Sequence, residues 1–457
     1  MRLPIPLAVE SAALRGAGAL SRLAGRGGGT TLPGKLLWKL DPGAIDVLAR
    51  RLPQGAVLVS ATNGKTTTTA MVAEILRPSM RVAHNSSGAN LVSGVASTLL
   101  RARGAELGLF EVDEAALPEV ARRVHPRALL LGNLFRDQLD RYGELEIVAR
   151  RWRDAVAGLP GTRLVVNGDD PQVGDLARFH DGARVFGLDD VRRARPALQH
   201  AADSKYCLRC GTPYVYAAAY VGHLGDYRCP NCGHHRPALD VVARDVELNG
   251  LDGAAFTLCA AEGEKRIELT LPGLYNVYNA LGAAALALEL GVPLDAVAAG
   301  LARFSAAFGR FERIPVGDKR LLMLLIKNPA GANEAIRTLV EGEPPHVAVI
   351  ALHDAIADGR DVSWLWDVDF EPLLDGLDRL VATGSRAAEL ALRFAYAGLP
   401  RDRIEVIPPL DPALDRGLEL TPVGGELTVL PTYTAMLALR RTIAARGHVS
   451  NYWEQAA

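Results

Sequence analysis

The sequence predicts an α/β protein with a phosphate-binding central domain, an inserted cysteine-rich ribbon and a second α/β domain towards the C-terminus. Three observations carry that prediction. From about residue 45, apolar runs of strand length alternate with amphipathic helical stretches, the pattern of a mostly parallel sheet covered by helices. The run Ala56-Val57-Leu58-Val59-Ser60 passes through Ala61-Thr62-Asn63-Gly64 into Lys65-Thr66-Thr67, a strand, turn and helix with the residue types of a phosphate cradle. Four cysteines, Cys207, Cys210, Cys229 and Cys232, stand at C-x2-C-x18-C-x2-C spacing.

Size and charge narrow the classes. A chain of 457 residues holds two or three domains of ordinary size. With Lys+Arg 51 against Asp+Glu 52 there is no global basic field, so nucleic acid is not expected as a partner. No apolar run reaches the ~18 residues of a bilayer span. Five cysteines are too few for a disulfide scaffold and suit a reducing compartment, so a cytoplasmic location is expected. Residues 1–45 form an N-terminal helical segment in which Arg2, Arg15, Arg22 and Arg26 interrupt the apolar positions. That segment does not read as a signal peptide; it is either a helix packed on the body or an amphipathic patch touching the inner face of the cell membrane. Residues 46–310 are expected to form the central domain, with the ribbon at about 201–237, and residues 311–457 the C-terminal domain.

Strands are expected at Ala56–Val59, Ala105–Val112, Ala128–Leu131 and Arg163–Val166, with helices at Thr67–Leu76, Leu117–Val124 and Leu145–Val156. Ligands of such sheets sit beyond the carboxyl ends of the strands, where the cradle, Glu111, Asn133 and Asp169 fall. In the cradle, Thr62, Asn63, Gly64, Thr66 and Thr67 suit the phosphates of ATP, Lys65 neutralises the outer ones and the Thr66 hydroxyl suits Mg2+. Val59 replaces the first glycine of a full Walker A sequence, so a threonine-rich helix cap is the competing reading. Glu111, at a strand end beside the cradle, is either a second Mg2+ ligand or part of a solvated acidic turn with Asp113 and Glu114.

Four thiolates at the observed spacing make a closed tetrahedral Zn2+ site that is structural rather than catalytic. Since they fill the shell, His223, His234 and His235 are expected at the surface. Tyr206, Tyr214, Tyr216, Tyr220 and Tyr227 either stack on bases or make the ribbon's small core, and Cys259 is a small core residue. A β-rich piece, Leu239–Leu271, precedes a helix in which Asn276 and Asn279 lie one turn apart and present amides to a nucleotide or cap the helix. The C-terminal domain has strands at Leu321–Ile326, Val347–Leu352, Arg379–Thr383 and Leu427–Leu430. Lys327 either meets the transferred phosphate or lies at the surface before a turn. Arg310, near the hinge, reaches the nucleotide or makes an interdomain ion pair.

The residues Ala61-Thr62-Asn63-Gly64-Lys65-Thr66-Thr67, Glu111 and Pro272-Gly273-Leu274-Tyr275-Asn276-Val277-Tyr278-Asn279, in this order, resemble the central domain of the Mur ligases, a superfamily that includes folylpolyglutamate synthetases. Tyr275 stands where that family usually has histidine, and only about fifty residues precede the cradle, too few for a UDP-sugar domain. The stretch Gly132–Glu144, the four-cysteine insertion and Asp358-Gly359-Arg360-Asp361-Val362-Ser363-Trp364-Leu365-Trp366-Asp367 are similar to the MurT branch, the ligase subunits of lipid II isoglutaminyl synthases.

That resemblance implies amidation of the α-carboxyl of D-glutamate in the lipid II stem peptide to D-isoglutamine, through an acyl phosphate, in peptidoglycan synthesis. It implies ATP, Mg2+ and structural Zn2+, with Lys65 and Glu111 serving the chemistry. It also implies a heterodimer with a GatD-like glutaminase that supplies ammonia. In this scheme Asp354 completes the partner's Cys-His pair, with Asp361 the next choice, although His353 and Ala355 depart from the branch's asparagines. The alternatives are a glutaminase-independent ligase of the Mur or folylpolyglutamate type, a zinc-ribbon nucleic-acid-binding protein, and a regulatory ATP-binding module.

Overall fold

The computed structural model describes residues 31–85, 88–137, 144–199, 202–305, 311–342 and 344–449. Two sheets organise them. The first draws on β1 (Ala56–Ser60), β2 (Val82–His84), β3 (Leu107–Glu111), β4 (Ala128–Leu131), β5 (Arg163–Asn167) and β6 (Arg184–Leu188). A separate hairpin, β7 (Val215–Val221) and β8 (Leu224–Arg228), interrupts it before β9 (Val241–Leu248), β10 (Ala254–Ala260) and β11 (Gly263–Leu269). The order across the sheet is β2-β3-β1-β4-β5-β6-β9-β10-β11, parallel from β2 to β9 and antiparallel beyond. The β-rich piece after the cysteines is thus the flank of the main sheet, joined edge to edge through β6 and β9.

Strands buried on both faces read as continuous apolar runs. In β1 the alternation sorts the two faces: Val57 and Val59 pack in one core with Met71, Ile75 and Leu281, while Ala56 and Leu58 pack in the other with Ile45, Phe110 and Leu129. The helix Leu274–Glu289 covers the first face; its alanines Ala283, Ala284, Ala285 and Ala287 are buried and let it approach the sheet closely. The helix after β1 begins at Lys65, two residues earlier than its sequence suggests. The neighbours of β1 are β3 on one side and β4 on the other, so the strand order turns there and opens a crevice at its carboxyl end.

The second sheet contains β12 (Phe311–Val316), β13 (Lys319–Leu324), β14 (Val347–Ala351), β15 (Arg379–Thr383), β16 (Ile404–Val406) and β17 (Glu426–Pro431), in the order β12-β13-β17-β14-β15-β16. Only β12 is antiparallel to its neighbour. Leu322, Leu324 and Ile350 belong to the same apolar core as Val57 and Leu281, so the two units share a packed boundary. At ~1.5–3 kcal/mol for each fully buried large aliphatic side chain, that boundary contributes strongly to holding them together. The expectations for Met1–Gly29 lie outside the described residues. Among the described residues no helix is long and apolar enough to cross a membrane.

Candidate active site

The cradle takes its shape from groups distant in sequence. Gly64 has φ +85°, which a side chain rarely adopts, and a Cβ there would lie 1.9 Å from Asn279 Oδ1. Glycine is therefore required twice, for its backbone and for the approach of Asn279. That same Oδ1 accepts a hydrogen bond from Thr68 Oγ1 at 3.3 Å, and Asn279 Nδ2 donates to Asn276 Oδ1 at 3.0 Å. Asn276 Nδ2 in turn donates to Pro272 O at 2.8 Å. Both amides and the whole stretch Thr62–Thr67 line one cleft.

Asn63 is held from two sides. Its backbone N–H donates to Asn133 Oδ1 at 2.9 Å and its carbonyl accepts from Asn133 Nδ2 at 3.1 Å. Its side chain exchanges amide bonds of 3.3 and 3.0 Å with Asn328, just after the second sheet's β13. Asn328 Oδ1 also accepts from Gly331 N at 2.9 Å, capping the helix Pro329–Glu341. One buried side chain thus fixes a helix start and ties the two units across the cleft.

Lys65 Nζ donates to Ala61 O and lies 2.6 Å from Glu114 Oε2. Both side chains are buried; the second pair, Lys327 Nζ with Asp137 Oδ2 at 2.6 Å, is only partly buried and crosses between the units. Burial opposes the charge on Lys65, but Glu114, Asp113 and Glu111 outweigh it and hold the ammonium above its ordinary pKa. For Glu114 burial is again outweighed, by Lys65 first and Lys327 next, and its pKa is lowered. At Asp137 burial prevails over the attraction of Lys327 and its pKa is raised. Glu114 and Asp137 have no role that their sequence context reveals; the doublet Asp113-Glu114 so soon after Glu111 is a signal for the first alone.

Glu111 ends β3 opposite Val59 and lines the cleft. Its Oε1 accepts from Asn90 Nδ2 at 3.2 Å, while its Oε2 is buried with no hydrogen-bond partner. A buried carboxylate oxygen without a donor is costly, and a cation would satisfy it. Asp169, grouped with Glu111 in the sequence, is instead committed to internal bonds with Tyr278 Oη at 2.6 Å, Leu188 N at 2.8 Å and Arg236 Nη1 at 3.1 Å. Arg310 lies outside the described residues.

The four cysteines converge, with every Sγ within 4.8 Å of the others. The Cys207–Cys232 and Cys210–Cys229 separations are 3.5 and 3.4 Å, close to the ~3.8 Å that tetrahedral zinc–sulfur bonds of ~2.3 Å imply. The cluster can hold a metal ion. Tyr214, Tyr216 and Tyr227 pack around Cys207 and Cys229 as the ribbon's core, whereas Tyr220 joins the main core and Tyr206 is exposed. Two of the three histidines expected at the surface are not there. His223 is buried with Nε2 3.3 Å from Asp170 Oδ2, and His234 is buried between Tyr214 Oη at 2.7 Å and Asp175 at 3.3 Å. His234 Nδ1 also lies 3.9 Å from Cys207 Sγ, beside the cysteine cluster, whereas His235 is exposed.

At the end of β14, His353 Nδ1 lies 3.1 Å from Thr434 Oγ1. The Asp354 carboxylate accepts from Ser385 Oγ at 2.7 Å and Arg386 Nε at 2.9 Å. The Ser385 hydrogen bond chiefly, and Arg386 against a weak burial effect, keep its pKa below the ordinary range. Asp361 is exposed and accepts from Ser363 N at 2.9 Å. Neither aspartate lines the cleft at the cradle.

Residues 59–206 match the Mur ligase middle domain family and residues 325–436 the MurT ligase C-terminal family. The chain is 34% identical, over 93% of its own length and 94% of the relative's, to the lipid II isoglutaminyl synthase (glutamine-hydrolyzing) subunit MurT of Streptococcus pneumoniae. The fold is similar to that of a pseudomurein peptide ligase type C from Methanothermus fervidus, with TM-score 0.70, 21% identity and coverage of 88% and 80% of the two chains. It is also similar to the MurF ligase of Thermotoga maritima solved in complex with ADP, with TM-score 0.64, 14% identity and coverage of 93% and 85%. With a shared architecture and a MurT likeness running along almost its whole length, the chain belongs to the MurT family of Mur ligases and is an ATP-dependent ligase.

Proposed function

We propose that this chain is the synthetase subunit of a lipid II isoglutaminyl synthase, amidating the α-carboxyl of D-glutamate in the stem peptide during peptidoglycan synthesis. The observation that carries the reading is the unpartnered, buried Glu111 Oε2 facing the same cleft as Lys65, Thr66 and Lys327. Glu111 and the Thr66 hydroxyl would hold Mg2+, and MgATP supplies the phosphoryl group when bound. Lys65, released from Glu114, stabilises the charge that builds on the transferred phosphoryl group, and Lys327 approaches from the opposite wall. The carboxylate oxygen attacks the γ-phosphorus and ADP leaves; ammonia then attacks the acyl carbon and phosphate leaves. The packed boundary between the two units keeps water from the acyl phosphate. The four cysteines hold a structural Zn2+, closed on all sides by thiolates.

Ammonia comes from a GatD-like glutaminase partner. Asp354, kept ionised and oriented by Ser385 and Arg386, is the carboxylate that would orient the partner's histidine; Asp361, with a single Ser363 contact, is the second candidate. The test compares Asp354→Asn and Asp361→Asn in the assembled complex with glutamine and with ammonium as nitrogen source. Asp354→Asn should lose glutamine-dependent amidation and retain the ammonium-dependent rate. Intact glutamine-dependent turnover in that variant would remove Asp354 from the role, and amidation by an added amino acid instead of ammonia would favour the glutaminase-independent ligase.

A further inference from the structure

The hairpin that leaves the cysteine cluster ends in a buried turn. Between β7 and β8 lie only Gly222 and His223. Gly222 has φ +57°, and a Cβ there would come within 2.8 Å of the Phe135 ring. The His223 ring packs against the same ring, tilted by 50° with centroids 4.6 Å apart, and reaches Asp170. A nucleic-acid-binding ribbon presents its surface to solvent, whereas this tip is seated in the enzyme.

The two residues flanking the turn, Val221 and Leu224, line the nucleotide cleft. Its lining has a polar group at the cradle, Asn63, Lys65 and Glu111, and an apolar group, Val221, Leu224, Leu271 and Phe311, that belongs to one packed core. Phosphates belong against the first group, and a purine base, a flat and weakly polar disc, suits the second. The neighbouring carbonyl of Tyr220 accepts from Arg195 Nε at 3.3 Å and from Arg337 Nη1 at 3.1 Å. Arg195 also pairs with the buried Glu334 at 2.5 Å. Glu334 and Arg337 belong to the helix Pro329–Glu341, so the hairpin tip is gripped by the C-terminal unit as well as by the central one.

We propose that the hairpin tip, Tyr220 to Leu224, is the apolar wall on which the nucleotide base rests, and that its docking to the helix Pro329–Glu341 holds this wall in place. The ribbon then acts on nucleotide affinity through its far end, at a distance from its metal. This inference rests on the nucleotide reading of the cleft.

The experiment titrates the full-length chain and its Val221→Ala and Arg337→Gln variants with Mg-ADP and with Mg-tripolyphosphate, which lacks a base. Each variant should bind Mg-ADP ~10-fold more weakly, the effect of an imperfect apolar pocket, and Mg-tripolyphosphate within about twofold of the parent. An unchanged Mg-ADP affinity in Val221→Ala overturns the wall, and in Arg337→Gln the docking. Equal losses for both ligands overturn the proposal too, because they report a distorted cradle rather than a lost base contact. A parent chain that binds neither ligand overturns the nucleotide reading itself. Unchanged zinc content and thermal midpoint confirm that each variant is folded.

Discussion

Gly64 and Gly233 have similar left-handed backbones, with φ +85° and +73°, but they sit in regions built in different ways. Around Gly64 the space is filled by Asn279, brought in from a helix more than two hundred residues away, whereas nothing lies within 4 Å of a Cβ on Gly233. The cradle is shaped by remote groups: Asn133, Asn279, Asn328 and Glu114 all bear on residues 62–68. The cysteine knuckle is shaped by near neighbours, with Gly233 N donating to Cys229 O and Cys232 N to Cys229 Sγ. A short motif is therefore a complete instruction at the knuckle and only part of one at the cradle.

Substitutions can break this contrast. The largest effect is expected for Lys65→Ala, in which ADP release should fall ~1,000-fold or more with either glutamine or ammonium, since the cradle then carries no ammonium against the transferred phosphoryl group. Assay of ADP release in the complex checks this, and full-rate turnover would refute the cradle. Next comes the glycine pair. Gly64→Ala should abolish measurable Mg-ADP binding, because Asn279 must be displaced, while Gly233→Ala should lower stability by only about 1 kcal/mol with binding intact. Calorimetric titration and thermal melts of the two variants decide whether the regions differ as described.

Asn328→Ala removes the amide bridge without altering the cradle's own residues. A loss of about 1 kcal/mol, or ~5-fold in Mg-ADP affinity, is expected from the hydrogen bonds removed. No change would mean that the bridge is ornamental. An effect confined to acidic pH lies in neither region. Burial, and then Arg77, lower His84 to a pKa of about 4 from an ordinary 6.5. The unfolded chain therefore binds this proton first, so stability is full above pH ~6.5 and declines as the pH falls towards 4. His84→Leu should flatten that part of the pH–stability profile in denaturant titrations, leaving nucleotide and metal binding unchanged.

Much of the fold was legible because β1, β3, β4 and β5 are short apolar runs separated by helical periodicity, and a parallel sheet leaves few other arrangements. The convergence of the cradle residues and Glu111 on one cleft, and of the cysteines on one cluster, was legible because each motif is contiguous or regularly spaced. The partners of those residues were not. Asp137 meets Lys327 across 190 positions, and nothing in the local sequence of either marks the pair. His223 and His234 were misplaced because the rule that four thiolates complete a metal shell is silent on where neighbouring imidazoles pack. Glu114 stood next to a recognised acid, but only the fold shows that the cradle's lysine turns towards it.

The buried hairpin tip bears on how this ribbon can be inherited. A module attached by its base can be shuffled among proteins as a cassette, because its host needs only to accept two chain ends. Here the tip has a socket made by Phe135, Asp170, Arg195 and the helix bearing Glu334 and Arg337. A ribbon transplanted into another Mur ligase would carry its thiolates intact and find no seat, and a host that lost its ribbon would keep an empty notch in the wall of its cleft. Insertion and socket are therefore expected to be retained or lost as one unit.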